Sequence, residues 1–245
     1  MATQIVGRLR WTAERRFYFG MALAMLGVVY LGFARTFFLK PLFPGFPSPA
    51  EPIFYVHGAV FSAWMVVLVV QPLLVASGRV DLHRALGRFG VLLATAMVVL
   101  GTVGAIVAAR RPSGFIGIPV PPLQFLTIPL FNMAMFGTFA ALAIAKRHDA
   151  QAHKRLMLLA TVNLLAAGIA RWPFDFMKAG PPVYFGVSDV FILALAAWDL
   201  RTRGRLHPVT LWAGLAIIVS QLLSLLVSDT GPWLAFARWL VAMPG

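Results

Sequence analysis

The sequence predicts an all-α protein: a bundle of seven transmembrane helices with its N-terminus in the cytoplasm and its C-terminus outside. Three observations lead there. Of the 245 residues, 60% are hydrophobic and 12% are charged, and the mean hydropathy is +0.83; a soluble domain of this length cannot bury that much apolar surface. Seven stretches approach the roughly 20 residues that a helix needs to cross a hydrocarbon core: residues 18–39, 53–75, 87–109, 122–145, 156–176, 182–199 and 209–228. The basic residues, finally, alternate in density from one connection to the next. Arg8, Arg10, Arg15, Arg16, Arg79, Arg84, Arg88, Lys146, Arg147, Lys154, Arg155, Arg201, Arg203 and Arg205 fall on one side, and Arg35, Lys40, Arg110, Arg111, Arg171, Lys178 and Arg238 on the other. Such alternation follows the positive-inside rule and sets the orientation. The net charge of +13 is thereby topological, and nucleic acid is not an expected partner; the lipid bilayer is.

Along the chain, residues 1–17 form a basic, interfacial N-terminus. "RLRWTAERR" leads straight into a full-length apolar segment, which reads as a retained anchor rather than a cleaved signal. After segment one, the loop "KPLFPGFPSPAEP" is rich in Pro and Gly and should form a stiff cover over the outer face. Segment two carries His57 near its outer end and Gln71 followed by Pro72, a kink signal. The turn "SGRVDLHRALGR" brings His83 to the start of segment three. A second Pro/Gly-rich outer loop, "ARRPSGFIGIPVPP", precedes segment four, which holds Asn132. "AKRHDAQAHKRL" then places a solvated His148 and, at the start of segment five, His153. Segment five ends on Arg171 and Asp175, segment six contains Asp189, and "RTRGRLHPVT" sets His207 before segment seven with its Gln221. In the tail 231–245, Trp233, Phe236, Trp239 and Leu240 share one helical face, as in a short helix lying in the outer interface. Residues 1–245 therefore read as a single transmembrane domain of a bacterial inner membrane, with membrane-protein partners or a second copy of itself as its possible associates.

Two groups of residues carry chemistry. The first is an inner row of histidines: His83, His153 and His207 share one depth at the starts of outward-running helices. Converging neutral imidazoles are what a transition metal or the iron of a b-type haem needs, with Asp81 and Asp149 near enough to orient the second ring nitrogens. The absence of cysteine excludes disulfides, thiolate metal sites, iron–sulfur clusters and covalently attached c-type haem. Set against the metal reading, histidines at a membrane surface also bond loop backbone, and aspartates there also begin helices. The second group is an outer network of His57, Arg171, Asp175 and Asp189. An unpaired charge inside hydrocarbon costs roughly 3 kcal/mol on insertion scales, so these groups should pair. Arg171 with Asp189 is the preferred pair, Asp175 is the alternative partner, and His57 and Glu51 can join.

A weak internal repeat supports the inner row. Segments two and three, and segments four and five, are hairpins that both run into "LLAT", at Leu92 and Leu158, soon after His83 and His153. The residues His57, Trp64, Gln71, Gly78 and "LHRALGR", followed by "HKRLMLL" from His153, resemble a family of uncharacterised bacterial multi-pass membrane proteins, a domain of unknown function. More loosely, histidines on helix hairpins are similar to the cytochrome b561 and ferric-reductase-like transmembrane group. That resemblance implies b-type haem held by a histidine pair, here only His83 with His153. The pattern of zinc-dependent membrane hydrolases related to ceramidases is not met, because Ile53 stands where a serine is needed and segment seven has no histidine after His207. Segment seven also lacks the lysine of a retinal Schiff base.

Three function classes follow. The protein is a redox or electron-transfer protein with one haem or metal on His83 and His153; or a transporter or ligand-binding protein using His57, Arg171 and Asp189; or an accessory structural subunit of a membrane complex. No nucleophile–base arrangement marks it as an enzyme.

Overall fold

The computed structural model describes residues 11–243. Arg8 and Arg10, most of the expected interfacial stretch 1–17, and the last two residues of the tail lie outside the described residues. The described chain is helical, with no strand among the described residues: α1 Ala13–Phe33, α2 Pro52–Ala76, α3 Val80–Arg110, α4 Pro122–Phe125, α5 Thr127–Ala145, α6 Ala150–Val162, α7 Leu165–Ile169, α8 Pro181–Arg203, α9 Pro208–Leu226 and α10 Gly231–Ala242. Six stretches are long and apolar enough to cross a membrane, Ala13–Phe38, Pro52–Ala76, Val80–Arg110, Pro122–Ala145, Pro181–Arg203 and Pro208–Leu226, as a multi-pass membrane protein requires.

The stretch expected to supply a seventh span, 156–176, differs. It is a pair of short helices, α6 and α7, broken at Asn163 and Leu164. At the break the Leu164 amide bonds back to the Thr161 carbonyl at 2.9 Å, a tightened turn, while the Asn163 side-chain amide donates to the carbonyl of Asn132 on α5 at 2.8 Å. Beyond α7, Pro173 and a 3-10 turn at Asp175–Ala179 lead to Gly180, whose φ of 92° turns the chain into α8. Although short, α6 and α7 are the centre of the bundle. They touch α1, α5, α8 and α9, and Leu156, Leu159, Leu165 and Ile169 are fully buried.

Local chemistry fixes the helix starts. The Thr12 hydroxyl accepts from the Arg15 amide at 3.2 Å, and Asp149 caps α6 by accepting from the amides of Gln151 and Ala152, both at 3.0 Å. Prolines begin α2, α4, α8 and α9, where a missing N–H costs nothing. At one end of the bundle the connections are short, with glycines at positive φ, Gly78 at 75° and Gly204 at 68°, closing α2 and α8. At the other end lie the longer connections 39–51, 111–121 and 170–180. Helix α1 crosses α7 so closely that a Cβ on Gly32 would collide with the backbone of Gly168. The tail helix α10 is present, but its aromatic face is divided. Trp233 donates to the Leu123 carbonyl at 2.8 Å and packs inward with Leu240, whereas Phe236 and Trp239 are exposed.

Candidate functional site

The long-loop end of the bundle contains a cavity of about 720 Å³. Its walls are mainly apolar, among them Phe61, Met65, Met97, Met133, Leu165 and Phe185. Loop residues Phe46 and Pro47 from one connection and Phe115 and Pro119 from another also line it, so the proline-rich segments do cover this end. The polar side chains that line it include His57 on α2, Asn132 on α5, Thr161 on α6, and Arg35, Arg111, Arg171, Asp175 and Lys178 toward the loops. Trp64 Nε1 donates to Thr161 Oγ1 at 3.1 Å and fixes that wall. The His57 ring stacks on Phe61, with centroids 3.9 Å apart, and its Nδ1 is buried without a hydrogen-bond partner. Gly104 of α3 lies against the ring: a Cβ there would stand 3.8 Å from the same Nδ1, an ordinary packing distance.

The expected outer network is drawn differently. Asp189 does not pair with Arg171; its carboxylate accepts from Gln221 Nε2 on α9 at 2.9 Å, and it lies outside the cavity. Asp175 is not the alternative either, because its carboxylate is bound by Lys178 at 2.6 Å in an exposed pair. Glu51 does not join His57; it holds Arg111 through two hydrogen bonds of 2.6 and 2.8 Å. Those bonds keep the Glu51 carboxyl below its ordinary range. Arg171 itself donates to the Ala167 carbonyl at 2.5 Å and lies over the Phe33 ring. Of the four residues, His57, Arg171 and Asp175 border the cavity and Asp189 does not.

At the short-turn end, the structure brings His83 and His153 together, with ring centroids 6.4 Å apart and planes at 82°. His153 Nδ1 lies 2.8 Å from the Ala143 carbonyl, which leaves Nε2 as its free nitrogen. His83 Nδ1 is buried without a partner. His207 is not part of this pair: its Nδ1 accepts from the Val209 amide at 3.1 Å as the cap of α9, so that lone pair is occupied. Burial, reinforced by Arg155 and Arg203, pushes its pKa down. Asp149 caps α6 rather than orienting an imidazole, and the backbone amides it accepts from hold its pKa down. Among the described residues no group of three or more His, Cys, Asp or Glu gathers to hold a metal ion. His148 is exposed, as expected.

The strongest polar cluster of this end is one that the sequence reading did not single out. Arg155, 1% exposed, forms a fully buried ion pair with Asp199. Asp199 also accepts from Thr210 at 2.6 Å and from the His207 amide at 3.1 Å. Gln151 accepts from Arg155 at 2.6 Å, and Glu14 of α1 takes Lys154. The available signal was Asp199 itself, an acid at the end of an apolar helix amid arginines.

Comparisons with protein-family models, with curated proteins and with solved structures return no match.

Proposed function

We propose that this multi-pass membrane protein binds a lipophilic small molecule in the cavity at its long-loop end. The observation that carries the reading is the cavity: about 720 Å³, apolar over most of its wall, with a small set of polar groups, His57 among them. Ligand sites have this size and this make-up, typically a few hundred to about 1,000 Å³ with few polar groups to orient the ligand. By the basic-residue asymmetry of the sequence, this end faces away from the cytoplasm and the bundle crosses the inner membrane seven times, with α6 and α7 together as one crossing. Native mass spectrometry of the detergent-purified protein tests the reading. A retained hydrophobic adduct, lost when Ala108→Trp fills the cavity wall, is the expected result. Identical adducts on both proteins would refute it.

A second reading rests on the perpendicular His83 and His153 rings, 6.4 Å apart. Two imidazoles on one ion, with bonds of about 2.0–2.1 Å, place their ring centroids about 6 Å apart. The unpartnered Nδ1 of His83 and the Nε2 of His153 are the nitrogens that would hold a shared transition metal or the iron of a b-type haem, which would supply one-electron redox chemistry. Metal analysis and a reduced-minus-oxidised absorption spectrum decide it. A signal lost in both His83→Ala and His153→Ala supports it, and a colourless, metal-free protein removes it.

A further inference from the structure

Resting on the reading that the cavity holds a lipophilic ligand, we infer that this ligand is an amphipathic anion: a single hydrocarbon body whose carboxylate or phosphate head is taken by Arg35 and Arg171. The inference comes from the charges around the cavity. Four cationic side chains border it, Arg35, Arg111, Arg171 and Lys178, against one carboxylate, Asp175. Glu51, from just outside, occupies Arg111 with two hydrogen bonds, and Asp175 is occupied by Lys178. That leaves Arg35 and Arg171, neither of which has a carboxylate within ion-pair distance among the described residues.

Both guanidinium groups are held at the loop side of the cavity, and Arg35 reaches the Arg171 backbone. Arg35 Nη2 donates to the backbone carbonyl of Arg171 at 3.3 Å. Arg35 lies over Phe46, 4.3 Å from its centroid, and Arg171 over Phe33 at 4.9 Å. Each guanidinium has five N–H donors, and among the described residues each makes one hydrogen bond, to a backbone carbonyl. Charge and unused donors therefore collect at the loop side of an apolar chamber. Planar, forked donors of this kind match carboxylate and phosphate oxygens, while the aromatic and methionine wall below matches hydrocarbon. Elsewhere around the cavity the cations are neutralised, so the surplus is confined to this pair.

Binding of tritiated palmitate to the full-length protein in a neutral detergent tests the inference, with unlabelled palmitate, hexadecanol and palmitoyl-lysophosphatidate as competitors. Charge-assisted hydrogen bonds predict that hexadecanol competes about 10-fold to 100-fold more weakly than palmitate. Arg35→Gln and Arg171→Gln should each weaken palmitate by about 10-fold or more and leave hexadecanol unchanged. Stronger competition by the lysophosphatidate than by palmitate identifies phosphate as the preferred head and supports the inference equally. Equal competition by palmitate and hexadecanol overturns it while leaving the lipophilic site standing. Failure of both acid and alcohol to bind overturns the cavity reading and this inference with it. The acid–alcohol comparison uses the unaltered protein, so it decides the matter even where an arginine variant does not fold.

Discussion

At the short-turn end of the bundle, Arg155 lies against Asp199, Lys154 against Glu14, and Asp149 and His207 cap helices. At the long-loop end, Arg35 and Arg171 donate to backbone carbonyls and lie over aromatic faces, with no carboxylate partner among the described residues, beside an open chamber. The residue types are much the same; their satisfaction is not. Groups whose hydrogen bonds are met within the chain hold helices together, and groups left with unused donors next to space are available to something else. Carrying a charge does not by itself separate the two kinds of group.

The contrast breaks most visibly at Asp199. Asp199→Ala leaves the buried Arg155 charge without its carboxylate and is expected to cost about 3–5 kcal/mol, read as a large drop in the thermal unfolding midpoint in detergent. Replacing both partners, Arg155→Met with Asp199→Leu, should recover most of that loss; no recovery would show that the cluster does more than fasten α6 to α8. Arg171→Gln, which breaks no ion pair, should leave the same midpoint nearly unchanged. Next in size is the crossing of α1 over α7. Gly32→Ala forces the two backbones apart and should cost about 1–3 kcal/mol, whereas Gly27→Ala, with open space around it, should not destabilise.

Acid sharpens the comparison further. His207 is held neutral, its pKa depressed from 6.5, so its contribution to stability is complete above pH 6.5 and is lost as pH falls toward the folded value. Glu51 is depressed from 4.5 by Arg111, and its contribution is present above pH 4.5 and lost as pH falls through the folded value. Amide exchange followed from neutral pH downward should thus show the start of α9 loosening before the connection around Glu51. The smallest effect belongs to Asp175→Asn. Its pair with Lys178 is 94% and 82% exposed, and stability should stay within about 0.5 kcal/mol.

Much of the fold was legible because apolar length and turn chemistry are local: the six long helices begin and end within a few residues of the hydropathic runs, apart from α3, which starts earlier at Val80. The approach of His83 to His153 was legible too, since helices entering at one face in sequence order put their first turns at one depth. The broken α6–α7 pair was not, because the tightened turn at Asn163 and Leu164 contains neither Pro nor Gly and carries no periodic signal. Nor was the Asp199 cluster, whose partners are 44 residues apart and whose arginine looks like any topological charge. The expected Arg171–Asp189 pair failed on placement: Tyr184 and Phe185 line the cavity, whereas Asp189, farther along α8, meets Gln221 on α9.

The central yet polar α6 bears on how the chain enters lipid during synthesis. The ribosome releases Arg155 well before Asp199 exists to receive it, and until then burying that guanidinium would leave a charge without its partner. Packing of α6 against α8 and α9 is therefore expected to wait for α8 to emerge, and nascent chains ending before residue 199 should be recovered with α6 still accessible to the aqueous phase.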